Sequence, residues 1–207
     1  KVERLSGSLG AEIRGLRLAE ANPQDAKRIH ELLMEHQVLF FPGQHPTPDE
    51  HLAFGRMFGE LESHPNLDLD VERERPEFFE LHAIDGAGGV ADEGHSDITF
   101  EPQPSKFAIL HMKVCPEIGG DTLWANAYRA YDELSEPMQA LCDGLTALHD
   151  ASSHLVPEKM HIHPVVRVHP ETGKRSLFVN EHFTRRIVEL SDAESTMLLA
   201  YLSQWIH

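Results

Sequence analysis

His95 and Asp97 place an imidazole and a carboxylate two residues apart, within the segment from Gly94 to Phe100. Residues two apart in a strand point to the same face, so a strand here would aim one nitrogen and one oxygen at a single point. Such a pair supplies two corners of the 2-His-1-carboxylate triad, which holds non-haem Fe(II) and leaves one face of the metal open. Alone the pair is a weak signal, because the chain has 15 His and 34 Asp plus Glu. A solvated strand edge is the alternative interpretation.

The pair is accompanied by three further segments that resemble a known family. These segments are GGDTLWAN at 119–126, HPVVRVHPETG at 163–173 and LFVN at 177–180. With the pair, they make almost the whole chain resemble the taurine dioxygenase family, the TauD/TfdA-like dioxygenases that depend on Fe(II) and 2-oxoglutarate. That family also includes alkylsulfatases and aryloxyalkanoate dioxygenases. The resemblance implies an α+β fold with a double-stranded β-helix (jelly-roll) core and flanking helices, in a single domain over residues 1–207.

The resemblance also implies roles for individual residues. His95 and Asp97 match the metal ligands at the catalytic centre, and Thr122 matches a threonine whose hydroxyl reaches the carboxylate of 2-oxoglutarate. Three residues match substrate-contacting positions: His64, Ile98 and Phe183. Each residue also has an alternative interpretation without function. His64 could cap the end of a strand, Ile98 and Phe183 could pack in the core, and Thr122 could be an ordinary strand residue.

Two functional residues of the family have no counterpart up to His207. In the family, strands that follow the last helix carry a distal histidine, the third iron ligand, and an arginine that binds the far carboxylate of 2-oxoglutarate. A half-closed barrel would leave an apolar edge exposed, so we expect C-terminal strands of the jelly roll to be missing from the chain. The segment 151–162 is also shorter than its family equivalent, through either a deletion or an absent loop.

Three departures from the family pattern bear on the substrate. Gly94 stands where the family usually has a tryptophan, and Leu67 and Ala91 replace a tyrosine and an asparagine that hold taurine. Apolar replacements should favour an alkyl chain over an aminoethyl group, because a polar group would lose its hydration there without a partner. We therefore expect O2-dependent hydroxylation of a small organic anion, an alkylsulfonate or alkyl sulfate ester ahead of an aryloxyalkanoate, with succinate and CO2 as coproducts.

Composition excludes several classes of partner. The net charge is 18 − 34 = −16 with no basic run, which argues against nucleic acid and anionic membrane surfaces. Cys115 and Cys142 form no C-x-x-C pair, and the longest apolar run, at 38–41, is too short to cross a bilayer. We expect a cytoplasmic homo-oligomer.

Two rival functions remain open: a metal-binding jelly-roll protein without catalysis, and a zinc hydrolase built on His161, His163 and His169.

Helix signals and apolar patterns predict the elements that position these residues. Five helices are predicted. The first runs from Pro23 to about Gln37 after an Asn22 cap, and the second from Thr47 to Gly59. The third covers 126–134, the fourth runs from Ser135 through an apolar stripe to Leu148, and the fifth ends near Trp205 after a capping box at Ser191 and Glu194. Strands are predicted within 1–18 and at 38–41, 78–84, 107–114, 165–168 and 176–179. The glycine-rich segment 85–94 is predicted to be a loop, either a lid or a connection.

Overall fold

The computed structural model describes residues 1–63, 75, 77–78, 80, 93–154 and 156–206. The chain divides into two compact units, Lys1–Glu80 and Leu81–His207. Helices and sheets are both present, so the predicted α+β class is confirmed. Whether the two units act as the single predicted domain stays a prediction.

The first unit contains a small sheet and two helices. Strands β1 (Val2–Arg4) and β2 (Ala11–Ile13) pair antiparallel, and β2 pairs parallel with β3 (Leu39–Phe40). Helix α1 (Pro23–His36) makes the crossover between β2 and β3, and α2 (Pro48–Arg56) follows.

Both helices of this unit begin where the sequence predicts. The Asn22 side chain accepts hydrogen bonds from two backbone N–H groups of the first turn of α1. Thr47 and Glu50 form a reciprocal capping box at the start of α2. The predicted α1 end is also confirmed, because Gln37 is its C-terminal cap.

The second unit is built around a three-stranded antiparallel sheet in the order β5-β4-β8. Its elements are α3 (Ala127–Asp132), α4 (Glu136–Asp143), β4 (Thr146–Ala151), β5 (Val156–Pro164), β6 (Val166–Val168), β7 (Arg175–Leu177), β8 (Thr184–Ile187) and α5 (Asp192–Ile206). Strands β6 and β7 form the predicted hairpin. The Glu194 carboxylate accepts a hydrogen bond from the Ser191 N–H, as expected of the predicted capping box.

Two predicted elements of this unit are wrong. No strand forms at 107–114, where the apolar residues Leu110 and Val114 are 64% and 85% exposed. The predicted helix from Ser135 to Leu148 ends at Asp143, because Gly144 interrupts it and the chain continues as β4. The predicted strand at 78–84 lies almost entirely outside the described residues.

The core of the second unit joins the last helix to the sheet. Its buried residues are Ala130, Tyr131, Leu134, Cys142, Leu145, Ala147, Val165, Leu177, Val179, Ile187, Leu198 and Leu202. A separate smaller cluster contains Phe100, Ala151 and Phe183, with Ile98 and Val156 packed against it. The smaller cluster lies beside the predicted metal ligands. No helix in the described part of the chain is long and apolar enough to cross a membrane.

Candidate metal centre

His95 and Asp97 are brought together by a turn. The His95 Nε2 atom lies 3.4 Å from Asp97 Oδ1. Residues 97–100 form a turn rather than the predicted strand, and the Glu101 N–H donates to the Ile98 carbonyl at 3.0 Å. We call this segment the 97–100 turn. The predicted convergence of the two side chains holds, although strand geometry is not its cause.

The orientation of the His95 ring is set by a carbonyl. Its Nδ1 donates to the Glu93 carbonyl at 2.9 Å, which places the proton on Nδ1 and turns Nε2 toward Asp97. The hydrogen bond to Asp97 raises the pKa of His95 above its ordinary value, and burial opposes this only in part. A lone pair on Nε2 that faces a carboxylate oxygen calls for a cation between them, either a proton or a metal ion. The pair therefore fits a divalent metal, with the carbonyl bond supporting the imidazole ligand from behind.

Apolar and aromatic side chains line one side of the pair. The Phe183 ring is 2% exposed and lies 6.3 Å from the His95 ring and 5.2 Å from the Phe100 ring. Ile98 packs against the same cluster. Ile98 and Phe183 thus lie beside the His95–Asp97 pair, while their predicted contact with substrate stays a prediction.

Two further histidines lie near the pair and were not predicted. The His182 ring is 5.3 Å from the His95 ring, and its Nδ1 is 3.2 Å from the Glu93 carboxylate. The His154 ring stacks on Phe183 at 5.4 Å. The sequence signal was the position of His182 directly before a predicted pocket residue, whereas nothing local marks His154.

A buried polar network lies beneath the 97–100 turn. His149 Nδ1 is 2.9 Å from Thr99 Oγ1, and both residues are fully buried. Asn180 Nδ2 donates to the same oxygen at 3.3 Å, and Thr184 Oγ1 lies 3.3 Å from His149 Nδ1. Burial lowers the pKa of His149 to about 4, with the nearby cationic side chains adding to the effect. The ring is therefore neutral at pH 7.

Among the remaining predicted residues, Thr122 is in the described part of the chain. Thr122 is exposed and lies in a segment, 119–125, without helix or strand. His64, Leu67 and Ala91 lie outside the described residues, as does most of the predicted loop 85–94.

The histidines of the predicted zinc alternative have structural partners. The His161 and His163 rings lie 4.7 Å apart, but His163 Nε2 donates to the Glu101 carbonyl at 3.0 Å. His169 Nδ1 accepts hydrogen bonds from two backbone N–H groups of its own turn. Among the described residues, no group of three His, Cys, Asp or Glu side chains is placed to hold a metal ion. The zinc alternative therefore has no described cluster to support it.

The His95–Asp97 pair offers one imidazole and one carboxylate, two of the three ligands of a 2-His-1-carboxylate site. The family model for the taurine catabolism dioxygenase TauD, TfdA family matches residues 1–207. The chain belongs to this family, and the predicted class, a 2-oxoglutarate-dependent dioxygenase using Fe(II), is confirmed.

Similar proteins bear this out in both sequence and structure. The chain is 35% identical to an alkylsulfatase of Acinetobacter baylyi, over 99% of this chain and 70% of that protein. It is 36% identical to an alpha-ketoglutarate-dependent sulfate ester dioxygenase of Pseudomonas putida, over 97% of this chain and 72% of that protein. A crystal structure of a taurine dioxygenase from Burkholderia xenovorans superposes with a TM-score of 0.81 at 32% identity, covering all of this chain and 73% of that one.

Proposed function

We propose that this protein hydroxylates a small organic anion, an alkyl sulfate ester or an alkylsulfonate, at the carbon next to the sulfur-bearing group. The observation that carries the proposal is the His95–Asp97 pair, whose nitrogen and oxygen converge at 3.4 Å in a chain 35% and 36% identical to an alkylsulfatase and a sulfate ester dioxygenase. Sulfate esters and sulfonates are small anions, in line with the expected substrate class.

The chain's own residues would do three things in this reaction. His95 and Asp97 would hold the iron through Nε2 and a carboxylate oxygen, with the Glu93 carbonyl fixing the imidazole. When bound, Fe(II) and 2-oxoglutarate supply the oxidising chemistry, with O2 consumed and succinate and CO2 released. Phe183 and Ile98 would keep water from one side of the centre, because both pack in the apolar cluster.

The product chemistry follows from where the hydroxyl is placed. Hydroxylation of an alkyl sulfate at the carbon that bears the ester oxygen gives a hemiacetal sulfate. Its C–O bond to sulfate breaks as the hydroxyl loses its proton, which releases an aldehyde and sulfate. The corresponding sulfonate gives an aldehyde and sulfite by breaking its C–S bond.

Several finer features belong to the same proposal. We propose a jelly-roll core, supported by the TM-score of 0.81 to a taurine dioxygenase. We propose that Thr122 contacts 2-oxoglutarate, that His64 contacts the substrate anion, and that a distal histidine is the third iron ligand. A single domain, a cytoplasmic location and a homo-oligomeric state complete the proposal.

A substrate panel tests the proposed reaction. Full-length protein is supplied with Fe(II), 2-oxoglutarate and, in turn, a medium-chain alkyl sulfate, an alkylsulfonate, taurine and an aryloxyacetate. We expect substrate-coupled succinate release to be greatest with the alkyl sulfate or the alkylsulfonate. Taurine or an aryloxyacetate as the best substrate would overturn the substrate assignment, and Asp97→Ala serves as the inactive control.

A further inference from the structure

The backbone between the metal ligand Asp97 and Thr99 is strained. Ile98 has φ +44°, in the left-handed region that a β-branched side chain rarely adopts. Such a conformation costs on the order of 1–3 kcal/mol and persists only where the surrounding structure enforces it. The strain lies one residue from Asp97, so whatever enforces it also sets the direction of the carboxylate.

Thr99 is the nearest fixed point after the strained residue. It is fully buried, and its hydroxyl oxygen lies within hydrogen-bond distance of both His149 Nδ1 and Asn180 Nδ2. The amide nitrogen of Asn180 can only donate, so it occupies one lone pair of the hydroxyl. The imidazole contacts the same hydroxyl from another direction.

His149 makes its hydrogen bonds through one ring nitrogen. His149 Nε2 is buried and has no hydrogen-bond partner among the described residues. Nδ1 therefore carries the hydrogen bonds of the ring, and it either donates to Thr99 Oγ1 or accepts from the Thr99 O–H, according to the tautomer. In both cases the contact at 2.9 Å and the Asn180 amide together hold the Thr99 hydroxyl from two directions.

The position of His149 is itself well determined. The residue lies in the central strand, β4, and faces His163 on β5 at 5.4 Å in a T-shaped contact. The pairing of β4 shifts register on both sides of it, between Leu148 and His149 toward β8 and between Asp150 and Ala151 toward β5. Bulges of this kind re-aim side chains near active sites.

The far end of the turn is held from the neighbouring strand. His163 Nε2 donates to the Glu101 carbonyl at 3.0 Å, and the Glu101 N–H donates to the Ile98 carbonyl at 3.0 Å. Imidazoles from two adjacent strands thus hold the chain on the C-terminal side of Ile98. Release of the Thr99 contact would leave the strained residue free to relax and to turn Asp97 away from His95.

We propose that His149 is a positioning residue for the metal centre, which acts by holding Thr99 so that the left-handed Ile98 keeps the Asp97 carboxylate directed at His95. His149 does not touch the metal. This inference rests on the proposed metal site and adds to it a residue from a different strand, 52 positions after Asp97 in the chain.

The test compares metal affinity across four single variants of the protein and one double variant, His149→Phe with Thr99→Val. Mn(II), a redox-stable stand-in for Fe(II), is titrated by calorimetry and by electron paramagnetic resonance. His149→Phe and Thr99→Val each remove one partner of the hydrogen bond between the two side chains, and His149→Asn retains a polar group near the Nδ1 position. Ile187→Ala is the matched control, because Ile187 is fully buried in β8 but packs in the larger core, away from the 97–100 turn.

We expect His149→Phe and Thr99→Val each to weaken Mn(II) binding by about 10- to 100-fold, the range measured for residues that support metal ligands. His149→Asn should recover most of the affinity. The double variant, His149→Phe with Thr99→Val, should bind Mn(II) no more weakly than the weaker-binding of the two single variants, since both substitutions remove the same contact. Ile187→Ala should lower stability and leave the Mn(II) affinity and spectrum unchanged.

Three results would overturn the inference: wild-type affinity in Thr99→Val, wild-type affinity in His149→Phe, or an equal loss of affinity in Ile187→Ala. If His149→Phe does not fold, Thr99→Val and His149→Asn still decide the question. A different result would defeat the proposed function itself, namely equal Mn(II) binding by the wild type and by His95→Ala.

Discussion

At the scale of single residues, the proposed metal ligands are partly open to solvent, with 28% of the His95 side chain and 55% of the Asp97 side chain exposed. Side chains with this exposure contribute little apolar burial to the folded state. What they contribute to the protein is their metal-binding atoms. Substitution at these two positions should therefore remove activity while leaving the stability of the fold nearly unchanged.

Replacement of either ligand tests this separation. We expect His95→Ala and Asp97→Ala to abolish 2-oxoglutarate-dependent succinate release while changing the free energy of unfolding by less than about 1 kcal/mol, as is usual for partly exposed sites. Succinate assays at saturating Fe(II) and urea unfolding in the absence of metal measure the two effects. Wild-type turnover in either variant would contradict the metal assignment.

The strain at Ile98 makes a second prediction at this scale. Glycine adopts positive φ without penalty, so Ile98→Gly should lessen the dependence of the turn on its Thr99 anchor. We expect His149→Phe to reduce Mn(II) affinity by a smaller factor in the Ile98→Gly background than in the wild type. The measurement is a double-mutant cycle on the Mn(II) dissociation constant. Equal factors in both backgrounds would mean that the strained backbone does not transmit the effect.

At the scale of elements, capping signals predicted helices well, whereas the central sheet was not predicted. Strand β4 buries alternate residues, but these are Ala147, His149 and Ala151. Two small side chains and an imidazole give no apolar alternation, so period-2 patterning could not reveal the strand. An apolar stripe continued from α4 to Leu148 and concealed the end of the helix.

The convergence of His95 and Asp97 was predictable because the resemblance pointed to these two residues, but the network beneath them was not. Thr99 and His149 lie 50 positions apart in the chain, and their contact depends on how β4 and the 97–100 turn pack together. Sequence spacing carries no information about a contact of this kind. The left-handed Ile98 was hidden for the same reason, since an isoleucine ordinarily indicates an extended backbone.

The buried imidazole in β4 predicts how stability depends on pH. His149 has a pKa of about 4 in the folded protein, below the ordinary 6.5, because burial disfavours its charged form and His163, Arg167 and Arg185 repel it. The unfolded chain binds this proton at a higher pH than the folded chain does. Stability is therefore fully present above about pH 6.5 and falls as the pH drops toward 4, by about 3 kcal/mol in total.

Urea unfolding between pH 7.5 and 4.5 measures this loss. His149→Asn cannot titrate, so its stability should fall less steeply than that of the wild type across the same range. The burial-lowered pKa of His163 acts in the same direction and should leave part of the slope in the variant. An identical slope in both proteins would show that His149 is not the group responsible.

At the scale of the whole molecule, two compact units share one chain, and the proposed metal ligands lie in the second, Leu81–His207. A ligand that binds only the folded state stabilises whatever unfolds together with its site. The unfolding transition that metal binding stabilises should therefore be the one in which the His95–Asp97 pair is lost. The first unit, Lys1–Glu80, contributes neither of these two ligands.

Thermal unfolding with Mn(II) and 2-oxoglutarate uses this linkage. At a free metal concentration 100-fold above its dissociation constant, binding adds about 2.7 kcal/mol, which corresponds to a rise in Tm of roughly 5–10 °C for a chain of this size. We expect that rise in the transition that includes the second unit, and no rise in His95→Ala or Asp97→Ala, because each has lost a ligand. Should the first unit unfold in a separate transition, that transition should not move. An equal rise in wild type and both variants would place the bound metal away from the pair.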